Sequence, residues 1–368
     1  MPFDLLDEHH YAESMHNIVL PALRSCRDEG WMEASAPAGG KAHGRNAAYA
    51  GISGNQQSET AGKLHYVCYD AERFDGLHLN EASARFRGAI VIAHGFTEFA
   101  EKYDEMVWYF LLAGYSVCIL EHRGHGLSAR DLSDPSLVWI DDWHRYVEDL
   151  SHFCTDVAQE YAGGSPVFLF GHSMGGAIGA AVLEQYPTIF DKAVLSSPMI
   201  APRTGLPLWL APMIIGGACK VGMSRRIVPG HAPFAPQIAE RDYQRASAPR
   251  IEWFQSLRKR HVEYQTSAAT FSWVNQALRM SRSLLRQSMC DRVETPMMVF
   301  QATNDDYVLE KPESQFVQQV QAGGCYAELV RVEDSRHELF GMPNEAMAPY
   351  VKSIIDFFDA TVHISVND

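Results

Sequence analysis

The chain has 368 residues, 46% of them hydrophobic and 21% charged, and a formal net charge of −14. That is the composition of an ordinary globular protein with enough chain for one large core, and its acidity argues against a general nucleic-acid binder. Seven scattered cysteines with no C-x-x-C pair read as reduced thiols, no apolar run approaches the ~20 residues of a bilayer span, and the start MPFDLLDEHHYAES lacks the basic-then-apolar pattern of a secretory signal.

The expectation is therefore a cytoplasmic protein, soluble or peripheral at the inner face of the membrane. Residues 14–33 have mixed helical periodicity, broken at Pro21. Residues 34–62 are small, polar and glycine-rich, which predicts a loop or linker. From Lys63 a regular alternation begins. LHYVCYDA reads as a strand, HLNEASAR as a weaker one, and RGAIVIAHG as a strand buried on both faces. EKYDEMVWYFLLAGY is helical and ends at Gly114; SVCILEH is a strand; DDWHRYVEDLSHFCTDVAQEY is a long amphipathic helix. PVFLFGH and KAVLSSP are strands around the helix MGGAIGAAVLEQY. After Cys290 the pattern resumes with strand TPMMVFQA, helix KPESQFVQQVQAGG, strand AELVRVED and helix NEAMAPYVKSIIDFFDA. Strands alternating with helices predict an α/β fold with a mostly parallel central sheet flanked by helices.

Residues 201–290 break this rhythm, with several prolines and only helical patterns. They predict a helical cap inserted between two core strands. The expected organisation is an N-terminal helix and glycine-rich extension (1–62), a core formed by 63–200 and 291–368, and the cap. The cap holds 13 Lys and Arg against 4 Asp and Glu, and the rest of the chain 18 against 41, so the charges are +9 and −23.

GHSMG, around Ser173, is a G-x-S-x-G pentapeptide. At ~7% glycine and a similar serine frequency, chance alone gives one in about ten chains of this length, so context must decide. The motif lies between a buried strand and a helix, as a nucleophile elbow requires. Gly171 and Gly175 leave backbone room beside a strained serine. The helix N-terminus favours an oxyanion near Ser173. A serine hydroxyl needs a base, and its partners should follow in the order Ser, acid, His. Of the four histidines after Ser173, His231 and His261 fall in the cap and His363 in the tail. His337 alone sits between the last strand and the last helix. Asp305 or Asp306, in TNDDYV after a strand, can orient it; Asp334 is a weaker rival, only three residues before the histidine. The oxyanion hole needs two backbone N–H groups: Met174, after the nucleophile, and Phe96, in the His-Gly turn of IVIAHGFTEF. His94 reads as a structural turn residue, and Glu98 as an anchor of that loop.

These residues resemble a known family. HGFTEFAEKYDEM, EHRGHGLSAR, GHSMGG, QATNDDYV and SRHELF match, in order, the oxyanion segment, Asp-His-Arg-Gly-x-Gly-x-Ser loop, elbow, acid loop and histidine loop of the α/β-hydrolase branch that contains bacterial lysophospholipase L2 and monoacylglycerol lipase. The resemblance covers most of residues 63–368. It selects Asp305 over Asp306 and implies an α/β-hydrolase fold. TFSWVNQALRMSRSLL and LSDPSLVWIDDWHRYVEDL lean toward the lysophospholipase side. Glu121 stands where the family has Asp, and Ala302 where it has Gly.

The function expected from this is a serine hydrolase cleaving carboxylic esters of single-chain lipids. Monoacylglycerol lipase or small-ester carboxylesterase activity is the alternative, with serine aminopeptidase, thioesterase or acyltransferase behind it. A non-catalytic binding module fits poorly with Ser, Asp and His in the right order. A dehalogenase would carry Asp at the elbow. Few cap carboxylates are available to hold a peptide amine. Trp209, Met213 and Trp273 are the cap residues expected to meet the acyl chain. Arg225, Arg226, Arg258, Lys259 and Arg260 read either as simply solvated or as a basic rim for phospholipid phosphates or an anionic membrane. No HExxH, Walker or dinucleotide fingerprint is present, so neither metal nor cofactor is implied.

Overall fold

The computed structural model describes residues 3–36, 62–79 and 81–360. Its strands are β1 (Arg27–Glu33), β2 (Lys63–Tyr69), β3 (Gly88–Ala93), β4 (Tyr115–Leu120), β5 (Leu137–Val138), β6 (Val167–His172), β7 (Lys192–Ser196), β8 (Ala268–Ala269), β9 (Met297–Asn304) and β10 (Ala327–Arg336). Eight of them form one sheet in the order β1-β2-β4-β3-β6-β7-β9-β10. β1 and β2 are antiparallel to each other, as are β2 and β4, and every other pairing in that sheet is parallel. β3, β4, β6 and β7 are buried along their whole length, which their unbroken apolar sequences require. The sheet winds outward from β3, to β4 on one side and to β6 on the other. The carboxyl ends of β3 and β6 thus flank a topological switch point, where open α/β sheets bind ligands.

Two apolar layers cover the sheet. One contains Trp143, which caps helix His144–Phe153, and Val147 and Leu150 of that helix, with Ile178 and Val182 of helix Ser173–Gln185. The other contains Phe110 of helix Asp104–Leu112, Ile354 and Phe358 of helix Asn344–Asp359, and Tyr11 and Met15 of the N-terminal helical segment.

Three local expectations are corrected. The N-terminal helical run is not broken at Pro21. A wide turn over Met15–Val19, closed by Leu20 N–H on the Met15 carbonyl, delivers Pro21 to the first turn of helix Leu20–Cys26, where its missing N–H is tolerated. Residues 27–33, read as a continuation of that helix, are the edge strand β1. Its Gly30 lies opposite Tyr66 and so close to that ring that a Cβ would overlap it. HLNEASAR is not a strand: its described residues form turns, with Leu79 and Ala82 packed on the core. The glycine-rich stretch lies almost wholly outside the described residues, and His363 lies outside them.

Within 201–290 the helices are Ala211–Ala218, Ala248–Arg260, Phe271–Leu284 and Gln287–Cys290. The segment is not purely helical, because β8 pairs with β5 as a short second sheet. It touches the loops after β3, β9 and β10: Trp273 meets Phe96, Arg203 donates to the Asp305 carbonyl at 3.1 Å, and Ser247 N–H donates to the Gly341 carbonyl at 2.9 Å.

Candidate active site

β6 ends at His172, extended at φ −108° and ψ 135°, and the next residue begins a helix. Ser173 absorbs this reversal at φ 52°, a left-handed conformation that costs a non-glycine residue about 1–3 kcal/mol. Such close passage of strand and helix leaves no space for neighbouring side chains. A Cβ on Gly175 would overlap the Ala93 carbonyl at the end of β3, and one on Gly171 would come within 2.9 Å of the Gly176 backbone. Met199 N–H donates to the Ser173 carbonyl at 2.8 Å and fixes the turn from the other side.

His337 follows β10. The pairing of β10 with β9 shifts between Val332 and Arg336, with Asp334 at φ 49° inside the irregularity. An irregularity of this kind re-aims the residue after it, and here it delivers His337. Its Nε2 lies 2.8 Å from Ser173 Oγ, and its Nδ1 lies 2.6 Å from Asp305 Oδ2. An ionised carboxylate only accepts, so Nδ1 carries the proton and Nε2 is left to accept the serine O–H. Asp305 Oδ1 accepts the N–H groups of Tyr307 at 2.8 Å and Val308 at 2.9 Å. Burial works to raise the Asp305 carboxyl, but the electrostatic pull and hydrogen bond of the His337 imidazole and these two amides hold it below its ordinary value. Ser173, His337 and Asp305 are each 6–7% exposed.

The other candidates fall elsewhere. Asp306 is exposed. Asp334 pairs with Arg245 Nε at 2.6 Å. His231 accepts the Ala269 N–H, and His261 is exposed beside Glu263. Met174 is the second residue of its helix, where an N–H has no carbonyl one turn back. Among the described residues, no protein group hydrogen-bonds to the Phe96 N–H. His94 Nε2 accepts the His122 N–H at 2.9 Å, so its Nδ1 donates to the Gly95 carbonyl at 2.8 Å. That is a turn-holding role. Glu98 Oε2 accepts the Gly95 N–H at 2.5 Å. Glu121 fits because both of its oxygens are engaged, by Ala100 N–H, Leu127 N–H and His65 Nδ1. Ala302 sits in β9 opposite Val332.

Trp273 is buried with its ring 4.3 Å from that of Phe96. Trp209 and Met213 stand 72% and 68% exposed. Arg258 does not belong to a basic rim: its guanidinium donates to the Tyr264 and Thr266 carbonyls, and burial pushes it down to about 10. Two residues absent from the sequence reading join the loops of the site. Lys102 Nζ lies 2.6 Å from Glu98 and 2.9 Å from Glu338, the residue after His337. His172 completes this surround, 5.0 Å from His337 ring to ring, and burial pushes it down to about 4, so it is neutral.

A sequence profile described as serine aminopeptidase, S33 matches residues 84–344. The chain belongs to this family. Lysophospholipase L2 of Escherichia coli is 26% identical over 286 residues, covering 73% of this chain and 80% of that protein. The monoacylglycerol lipase of Mycolicibacterium smegmatis is 33% identical over 144 residues, 39% of this chain and 47% of that one. Among solved structures, a soluble variant of the Saccharomyces cerevisiae monoglyceride lipase aligns over 89% of this chain and 100% of its own, with a TM-score of 0.62 and 16% identity. A Bacillus coagulans carboxyl esterase aligns over 91% and 98%, with 0.65 and 15%. At those identities the structures establish the fold, which is the α/β-hydrolase fold.

Proposed function

We propose that the protein is a serine hydrolase that cleaves carboxylic esters of single-chain lipids, with Ser173, His337 and Asp305 as its catalytic triad. The observation that carries this reading is the unbroken chain from Ser173 Oγ through both nitrogens of His337 to Asp305, with Asp305 locked by two amides. Ser173 Oγ attacks the ester carbonyl while its proton passes to His337 Nε2. The oxyanion is held by the N–H groups of Met174 and Phe96. His337 then protonates the leaving alcohol, giving the acyl-enzyme. Water, deprotonated by the same nitrogen, attacks the acyl carbon, and the proton returns to Ser173 as the fatty acid leaves. In this reading 63–200 and 291–360 form the core, the N-terminal segment joins it through the edge strand β1 and the packing of Tyr11 and Met15, and 201–290 form a cap whose Trp273 walls the acyl site beside Phe96.

Lysophospholipase activity leads because a lysophospholipase L2 is 26% identical over 80% of its length; monoacylglycerol hydrolysis is the second reading, favoured by a monoglyceride lipase homolog of monkeypox virus, 25% identical over 88% of its length, and by the 33% identical segment shared with a monoacylglycerol lipase. Aminopeptidase activity is disfavoured. The carboxylates near His337, Glu98 and Glu338, are already paired with Lys102.

The cap also supports peripheral contact with the inner face of an anionic membrane. Leu208, Trp209, Met213, Ile214, Val221 and Met223 are all exposed. Lys220, Arg225 and Arg226, also exposed, lie in the same stretch. Among the described residues no helix is long and apolar enough to cross a bilayer. Purified protein assayed on lysophospholipids, monoacylglycerols and p-nitrophenyl esters tests the substrate class. Lysophospholipids are expected to give the highest kcat/KM, and a monoacylglycerol preference above tenfold would exchange the two readings.

A further inference from the structure

We infer that Lys102 is a positioning residue whose single ammonium ties the oxyanion turn to the histidine loop, and that with Glu98 and Glu338 it sets the electrostatic field in which His337 works. This rests on the triad reading above.

The geometry is a chain of contacts between two loops far apart in sequence. Gly95, directly before Phe96, gives its N–H to Glu98 Oε2 at 2.5 Å, and Tyr103 O–H donates to the same oxygen at 2.5 Å. Glu98 Oε1 lies 2.6 Å from Lys102 Nζ, which lies 2.9 Å from Glu338 Oε1. Glu338 directly follows His337. The position of the Phe96 N–H and the position of the imidazole are therefore linked through one cation. That cation is enclosed: the Lys102 side chain is 5% exposed, and its ammonium lies 4.3 Å from the Phe254 ring centre and 5.5 Å from that of Phe340. Burial opposes each of the three charges. Their mutual attraction overrides it, holding both carboxyls below and the ammonium above their ordinary values, so all three are charged.

The surroundings of His337 fix the sign of the effect. It faces Asp305 from the loop after β9, neutral His172 and Ser173 from the elbow, and the Tyr307 ring at 5.0 Å. Behind these stand Glu98, Lys102 and Glu338. Arg336 acts on Glu338, and Arg241 and Asp242 act on Tyr307. Removing Lys102 leaves two carboxylates without their cation, which favours the imidazolium. Removing the charge of Glu338 does the opposite. A general base must be neutral to act, so favouring the imidazolium moves the acid limb of the pH–rate profile to higher pH.

The test is the pH dependence of kcat/KM on a soluble p-nitrophenyl ester for wild type, Lys102→Met, Lys102→Arg and Glu338→Gln, with thermal melts alongside. Lys102→Met is expected to lower kcat about 10²-fold, with little change in KM, and to move the acid limb up by roughly half a unit. Glu338→Gln is expected to move it down. Lys102→Arg, which keeps the charge, is expected to restore the wild-type limb and part of kcat. If Lys102→Met does not fold, Glu338→Gln decides alone, because Glu338 is partly exposed. Limbs that stay put, or that move in the same direction in both charge-removing variants, overturn the inference. Wild-type protein that fails to hydrolyse any ester overturns the triad reading instead.

Discussion

The loops that carry Ser173, Asp305, His337 and Glu98 and the strip 208–226 are opposite solutions to placing polar and apolar groups. In the loops, polar side chains are buried and matched: Asp305 takes three hydrogen bonds, His337 uses both nitrogens, and Glu98 binds an amide, a phenol and an ammonium. In the strip, six large apolar side chains face solvent among exposed cations. An exposed apolar cluster of this kind marks a surface that meets something else. On the proposed reading the first region holds a fixed geometry and the second meets a membrane, so substitutions should separate them cleanly.

The largest separation is in chemistry. Ser173→Ala and His337→Ala are each expected to lower kcat by about 10³-fold or more while circular dichroism and melting temperature stay near wild type. Next is the acid. Asp305→Asn should cost about 10³–10⁴ in kcat, whereas Asp306→Asn should stay within about twofold, since Asp306 is exposed. Equal effects would show that the matched character of the loop is irrelevant to turnover.

The comparison also runs through the cap itself. Arg250 of helix Ala248–Arg260 makes two hydrogen bonds to buried Glu105, at 2.7 and 2.8 Å, and others to the Met342 carbonyl and Asn344. Arg250→Met leaves the buried Glu105 carboxylate without its cation, held only by the Tyr11 and Tyr109 hydroxyls, so urea unfolding should show a loss of about 3 kcal/mol. Arg225→Ala, in the exposed strip, should change stability by under about 0.5 kcal/mol. The smallest effect on turnover belongs to Lys220, Arg225 and Arg226. Replacing all three with Ala should leave hydrolysis of a soluble ester within about twofold while weakening co-sedimentation with anionic liposomes, at about 1 kcal/mol per cation, and added salt should erase the difference. Liposome binding indifferent to salt and to these cations would dissolve the contrast.

How much of this was legible in sequence follows from how local each signal is. Ser173 is marked by a strand–turn–helix within a few residues, and His337 by its place between the last strand and helix. The residues alone left Asp305 and Asp306 open, because the two amides that fold back on Asp305 have no pattern in TNDDYV; family resemblance made the choice. β1 was hidden because RDEGWME, with four charged residues, one glycine and an adjacent Trp-Met pair, has no apolar alternation. Lys102 was hidden because its partner Glu338 lies far along the chain. Arg258 and Arg225 look alike in sequence, and only the carbonyls of Tyr264 and Thr266 distinguish a structural guanidinium from a surface one.

The central claim is that Ser173 is a nucleophile activated by His337. Intact-mass and peptide analysis after treatment with a fluorophosphonate probe tests it most directly. One adduct per chain is expected, on the peptide containing Ser173, formed rapidly in wild type, far more slowly in His337→Ala, and absent in Ser173→Ala. An unlabelled wild-type protein, or labelling that persists in Ser173→Ala, would contradict it.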